Sequence, residues 1–347
     1  VFLISAKLII KLKSEYRKIS LLAILFIVIA ACTHRDTISE NEIVSTTHIR
    51  FDSLLFADAD SITPEQIIKY RSSYPEFFDL YVNRIIHLPP TDSAKLASNL
   101  NAFIHDKDVK DIHNRTQKIF TPVVTQKIFS GIDDFLKHYK HYFNKQPAKE
   151  IVTFISAFNY SIITTDSLIG VGLDMYLGSD CEFYPSIGIP EYAYRRFSKE
   201  YIVNDVIKGW YQSEHDIDHV KNELLSQMIY YGKQLYFADM MAPDMQDSVK
   251  IGYTAKQLEW CNNNSKQMWA FYIEKKLLYA TDEMEYMKYV GDGNTTQGFP
   301  EGAPAKTAQW LGWQIVRSYM KNNKTTLPQL LEETDAQKIL EKSGFKP

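Results

Sequence analysis

A basic stretch, an apolar run of about a dozen residues and a cysteine open this chain, and together they take its first 31 residues out of the fold. Lys7, Lys11, Lys13, Arg17 and Lys18 supply the positive region, and Ser20 to Ala31 the apolar core. That length suits the core of a secretory leader and falls short of the roughly 20 residues a membrane-spanning helix needs. Ile29-Ala30-Ala31-Cys32 sets a small residue before a cysteine. This is the arrangement for lipid attachment to the thiol, cleavage after Ala31 and acylation of the new amine. Two or three acyl chains hold a protein on a membrane durably, where one does not. The expected organisation is a lipoprotein leader over 1–31, lipidated Cys32 as the first mature residue, a polar flexible tether over 32–45, and one domain over 46–347 facing the periplasm. In the alternative reading the segment stays as an uncleaved anchor and Cys32 is a bystander.

The whole chain carries a net charge of -3, and its leader is basic, so the remainder is more acidic still. That argues against nucleic acid or an anionic lipid surface as a general electrostatic partner. No later stretch approaches 18 apolar residues, which leaves the anchor as the segment expected in lipid. Beyond Cys32 the thiols are Cys181 and Cys261. A single disulfide in an oxidising envelope and two buried free thiols are equally open readings. Neither cysteine belongs to a paired metal or redox motif. Tyrosine is frequent, at 22 residues, many of them inside apolar runs, which reads first as an aromatic core with hydroxyls reaching its rim.

Periodicity gives a mostly helical α+β chain with one small sheet. Ile49 to Phe56 roughly alternates and opens as a short strand. Thr63-Pro64-Glu65 starts a helix. Tyr74 to Ile86, Ser93 to Phe103, Asp108 to Phe120 and the stripe Ile128, Ile132, Phe135, Leu136, Tyr139 continue helical. Glu150 to Thr164, rich in Val, Ile, Phe and Thr, reads as one or two strands. Leu168 to Gly178 is a further strand, joined by a hairpin through Thr165-Asp166, and its glycines allow close backbone approach. Helix resumes at Glu191 to Phe197 and Ile202 to Trp210. The longest helix is expected over about Asp216 to Phe237, where Val220, Leu224, Met228, Tyr231 and Leu235 recur at three and four. Further helices follow near Lys256 to Cys261, Lys266 to Leu278 and Ala305 to Met320, with a last one opening at Thr326-Leu327-Pro328 that carries Leu330, Leu331, Ile339 and Leu340. Asn262-Asn263-Asn264 reads as a polar loop.

A long helix after a short sheet is the layout of a zinc metallopeptidase. Such an enzyme needs two histidines four apart on one helical face and a glutamate beside the first. The middle of the helix here reads Ser226-Gln227-Met228-Ile229-Tyr230. Neither ligand position is histidine, and Gln227 cannot take a proton at neutral pH. His219 lies seven residues before Ser226, His138 and His141 stand on a polar stretch, and the nine histidines offer no helical pair. No cofactor and no metal are expected.

Several longer runs resemble the gliding motility lipoprotein GldB family. They are Glu223 to Tyr236, Ile251-Gly252-Tyr253-Thr254, Leu258-Glu259-Trp260-Cys261, Gln267-Met268-Trp269, Trp310 to Met320 and Gly344-Phe345-Lys346-Pro347. Upstream, Arg50-Phe51-Asp52, Tyr74 to Phe78 and Asp166 to Asp174 add to the likeness, which covers nearly the whole mature chain. The resemblance implies a membrane-anchored envelope protein of Bacteroidota, linked to surface gliding and to the secretion machinery beside it. It also implies a zincin-like architecture whose metal site is lost. Ser226, Gln227 and Tyr230 stand at the degenerate metal-helix positions, and Gln227 replaces a glutamate common in the family.

The residues singled out for a cleft are Asp166, Asp174, Lys233, Trp313 and Arg317. Asp166 and Asp174 flank the glycine-rich strand, as turn or cap residues or as polar groups on a cleft rim. Gly232 permits close helix packing or marks a cleft wall, and Lys233 is a partner for Asp166 or Asp174. Trp313 and Arg317 are four apart, set either to stack cation on ring or to leave Arg317 on an exposed face. The leading functional expectation is a non-enzymatic scaffold or binding lipoprotein with envelope protein partners. A periplasmic small-ligand or peptide-binding protein and a hydrolase with non-metal chemistry are the alternatives.

Overall fold

A computed structural model describes residues 44–57, 61–89, 91–145 and 147–347. The leader, Cys32 and nearly all of the expected tether lie outside the described residues. Strand β1 (Thr47–Arg50) leads into helices α1 (Phe51–Ala57), α2 (Pro64–Ser73) and α3 (Pro75–Leu80). A π-helical turn, Tyr81–Ile85, extends α3, so the helix expected over Tyr74 to Ile86 changes pitch midway. Helices α4 (Ser93–His105), α5 (Lys107–Ile119) and α6 (Pro122–Phe143) follow. Then come strands β2 (Glu150–Phe154), β3 (Ile162–Thr164) and β4 (Leu168–Gly172).

After two one-turn helices, Phe183–Ser186 and Glu191–Tyr194, the longer elements are all helices joined by turns and loops. The elements are α7 (Ile202–Glu214), α8 (Leu224–Met241), α9 (Asp247–Ile251), α10 (Ala255–Asn263), α11 (Ser265–Glu274), α12 (Glu283–Val290), α13 (Thr307–Asn322), α14 (Leu327–Glu332) and α15 (Ala336–Ser343). The fold is α+β, mostly helical with one small sheet.

Helix starts are set by local chemistry. Thr63, Thr254 and Thr326 each accept from the backbone of a glutamine three residues on, and that glutamine's side chain accepts from the threonine's own N–H. This reciprocal cap satisfies two otherwise orphaned donors. Proline in the first turn of α2 and α14 adds a preset φ.

The sheet order is β1-β2-β4-β3. β1 pairs with β2 in parallel, Thr47 opposite Glu150, and β2 pairs with β4 in parallel, Ile151 opposite Ile169. β3 and β4 form the antiparallel hairpin expected through Thr165-Asp166. At the end of β4 a Cβ on Gly172 would sit 1.9 Å from the Tyr160 carbonyl oxygen, so only glycine allows the strand to approach there.

Five expectations are corrected. The longest helix among the described residues is α6, with 22 residues, not the segment from Asp216. Helix α8 begins only at Leu224, because Val220 and Glu223 are extended and the Leu224 N–H donates to the distant Ala280 carbonyl. The alternation over Ile49 to Phe56 ends at Arg50, after which the chain turns helical. The last expected helix divides into α14 and α15 at Glu333–Asp335, and Asn262 and Asn263 finish α10 instead of forming a loop.

Cys181 and Cys261 are both free and buried, which decides between the two open readings. Burial holds the Cys261 thiol up at about 12, so it stays protonated at neutral pH. Among the described residues no helix is long and apolar enough to cross a membrane.

Candidate functional site

Helices α8 and α13 cross closely, and α15 packs on α13. The face of α8 that carries Ser226, Ile229, Tyr230 and Lys233 is thereby turned toward the end of α7 and the Leu331–Ala336 segment. Between them lies a pocket of about 260 Å³. Its floor is buried: Tyr211, Ile229, Tyr230, Leu331 and Ala336, with Ser226 and Lys233 as polar members. Glu214, Asp216, His219, Lys221 and Thr334 are exposed at its rim, and His215 and Glu333 are half-buried between.

Most of the polar groups in the floor are tied into the fold. Ser226 Oγ donates to Glu223 Oε1 at 3.0 Å, and the Tyr230 hydroxyl donates to the His215 carbonyl at 2.9 Å. The His215 ring packs on Tyr211 with centroids 4.7 Å apart. Burial holds its pKa below the usual histidine value, so the ring is neutral at pH 7. Lys233 donates to the Glu333 carbonyl oxygen. Desolvation pulls the pKa of this ammonium, 7 % exposed, down to about 8, against a smaller opposing pull from the Glu333 charge.

Of the residues singled out in the sequence, Ser226, Tyr230 and Lys233 meet in this pocket, while Gln227 is buried outside its lining. Lys233 pairs with neither Asp166 nor Asp174. Asp166 is exposed in the β3–β4 turn, at the opposite end of β4 from Asp174. Asp174 is on no rim: it is fully buried and accepts from the backbone N–H of Ser156 at 3.1 Å and of Phe158 at 2.6 Å. Those bonds hold a bend in which Ala157 and Phe158 both take left-handed backbone angles. Burial raises the Asp174 carboxyl to about 6, against the opposing pull of those donors.

Trp313 and Arg317 also lie away from the pocket. Trp313 is fully buried, and the Arg317 guanidinium stacks 3.8 Å from its ring centre, the stacked arrangement and not the exposed one. Arg317 grips Asp239 through Nε at 2.7 Å and Nη2 at 2.8 Å, and Asp247 through Nη1 at 2.9 Å and Nη2 at 3.0 Å. Lys250 and the Trp313 indole N–H also donate to Asp239, each at 2.9 Å. This closed network ties α8, α9 and α13 together. The five candidate cleft residues therefore do not share one cleft.

Sequence reasoning passed over His215, and it missed that His215 and His219 line the pocket together. Their four-residue spacing is visible in the sequence. It carries no helical meaning, because His215 closes α7 and His219 stands in a separate 3-10 turn. Among the described residues no group of three His, Cys, Asp or Glu side chains is placed to hold a metal ion.

No curated protein and no solved structure matches this chain. The sequence model of one family does, over residues 31–347, and its description is gliding motility protein GldB.

Proposed function

This chain belongs to the gliding motility protein GldB family, and on that premise we propose that this gliding-motility-associated lipoprotein works by binding and not by catalysis. In this reading it sits in the cell envelope, held by lipid on Cys32, and its folded domain faces the periplasm. There it holds a protein component of the gliding apparatus or of the secretion machinery beside it.

One observation carries the non-catalytic part. In the α8 pocket, Ser226, Tyr230 and Lys233 each spend a hydrogen bond on the protein's own Glu223, His215 or Glu333. A nucleophile needs a base within hydrogen-bond reach that can carry its proton away and return it. Ser226 makes no hydrogen bond to His215 or His219. The pocket itself favours a small-ligand role for this one region, alongside the partner-binding role of the whole domain.

The test is gentle crosslinking of the full-length chain in its own membrane, followed by extraction and identification of what comes with it. A defined set of motility or secretion components is expected. A chain that is recovered alone and that hydrolyses peptide or ester substrates would overturn the reading.

A further inference from the structure

We infer that the α8 pocket is a binding site for a small carboxylate, with Lys233 as the counter-charge at its floor. The inference rests on the binding role proposed above and assigns that role a ligand class.

Lys233 is the one charged side chain buried in a floor otherwise built from Ile229, Leu331, Ala336 and two tyrosines. An ammonium has three donors. One reaches the Glu333 carbonyl, and among the described residues Lys233 has no ion pair. A buried ammonium whose hydrogen bond goes to a neutral carbonyl is costly, the Glu333 charge offsets only part of that cost, and an arriving anion offsets more. The other hydroxyls in the floor are not donors to spare, because Ser226, Tyr230 and Tyr211 already donate within the protein. What the pocket offers a ligand is therefore two ammonium N–H groups and the neutral imidazole of His215, whose ring nitrogens hold no hydrogen bond among the described residues. Two or three such donors match the two oxygens of one carboxylate.

Size and charge narrow the class further. The pocket, about 260 Å³, is smaller than the roughly 300–1,000 Å³ typical of ligand sites, so the guest is compact. Glu214 and Asp216 at the rim oppose a second negative charge and favour an ammonium, while Lys221 is paired with Glu223 and the Glu333 carboxylate with Lys338. A single carboxylate held inward with a positive or neutral end outward is the chemistry of a free amino acid or of the terminal residue of a short peptide.

The experiment is calorimetric titration of the full chain in detergent with alanine, alanyl-alanine, alaninamide and alanyl-alaninamide. Binding of one or both acids, with each matching amide at least tenfold weaker, is the expected result. Alanine against alanyl-alanine separates a free amino acid from a peptide end. Lys233→Met is expected to lose the acid at least tenfold without lowering the thermal midpoint. Ala336→Leu, which fills the floor and keeps the lysine, is expected to lose it as well. Equal binding of acids and amides, unchanged binding in both variants, or no binding of any probe at millimolar concentration would overturn the inference. That failure would leave the partner-binding reading standing if crosslinked components are still recovered. Cleavage of alanyl-alanine during the titration would instead overturn the non-catalytic reading while leaving the carboxylate site in place.

Discussion

Gly232 on α8 and Gly312 on α13 face each other with no room for a methyl group between the helices. A Cβ on Gly232 would lie 2.4 Å from the carbonyl carbon and oxygen of Gly312, and one on Gly312 would lie 1.8 Å from the Met228 carbonyl oxygen. Glycine within a helix costs about 1 kcal/mol relative to alanine, so its presence twice at one crossing reflects packing and not helix propensity. Gly312→Ala is expected to destabilise the domain by roughly 3 kcal/mol or more, because backbone on both sides must move apart. Urea unfolding would show it as a lower midpoint. A neutral or stabilising result would mean that the helices are not held this closely.

Lys233 makes stability depend on pH in the alkaline range. Its folded pKa is pulled from 10.5 down to about 8, so the unfolded chain binds more protons between those values. Stability contributed at this site therefore rises with pH from about 8 toward 10.5, and the full penalty is borne below pH 8. Lys233→Met is expected to stabilise the fold by about 2 kcal/mol at pH 7, with the gain shrinking as the pH passes 8. Denaturation of both proteins at pH 7 and at pH 10 measures the difference. A gain that does not shrink would contradict a charged lysine in the floor.

At the start of the domain, Arg50 clamps the buried carboxylate of Asp52 through Nε at 2.9 Å and Nη2 at 2.6 Å. Gln117 adds a donor at 3.0 Å, and Thr153 another. Burial alone would raise the Asp52 pKa, yet the hydrogen bonds and charge of Arg50, with those of Thr153 and Gln117, hold it below 3.8. Asp52 thus contributes stability that is present above the ordinary aspartate value and is lost as the pH falls through the folded value. Arg50→Met leaves that carboxylate uncompensated and is expected to cost roughly 3–5 kcal/mol at pH 7. The variant should recover part of the loss on mild acidification, the opposite of the wild-type trend, which a pH series of unfolding midpoints would reveal.

Arg317 is not replaceable by lysine. Its planar fork meets two carboxylates and a ring face at once, a geometry that a point charge cannot reproduce. Arg317→Lys is expected to lose roughly 2–3 kcal/mol, since hydrogen bonds to charged groups contribute about 1.5–3 kcal/mol each and only some are rebuilt. Tryptophan emission should change with it, because Trp313 loses its stacked cation. Unchanged stability and emission would show that the network is not load-sharing.

Asp174 should behave as a structural anchor and not as a ligand group. Replacing it by asparagine sets an amide NH₂ against the N–H donors of Ser156 and Phe158, at an expected cost of about 2 kcal/mol. Acid titration of the amino acid or dipeptide affinity should be untouched in Asp174→Asn wherever the variant is folded. A selective loss of affinity would place Asp174 in the site after all.

Sequence alone determined what lies within a few residues along the chain. Thr63 and Thr326 announced their helices because each cap closes over three residues. Thr165-Asp166 announced its hairpin for the same reason, and the long matched runs carried the family. Tertiary structure alone decided the rest. The parallel pairing of β1 with β2 joins residues about a hundred positions apart, and Lys233 finds its carbonyl a hundred residues away at Glu333. Asp239 and Asp247 meet Arg317 only because three helices converge. The pocket exists because the Leu331–Ala336 segment breaks the last expected helix in two beside α8. Caps and turns are satisfied by neighbouring atoms and can be read from spacing. The partner of Lys233 and the carboxylates that Arg317 grips are chosen by how the whole core closes, and no local pattern encodes that.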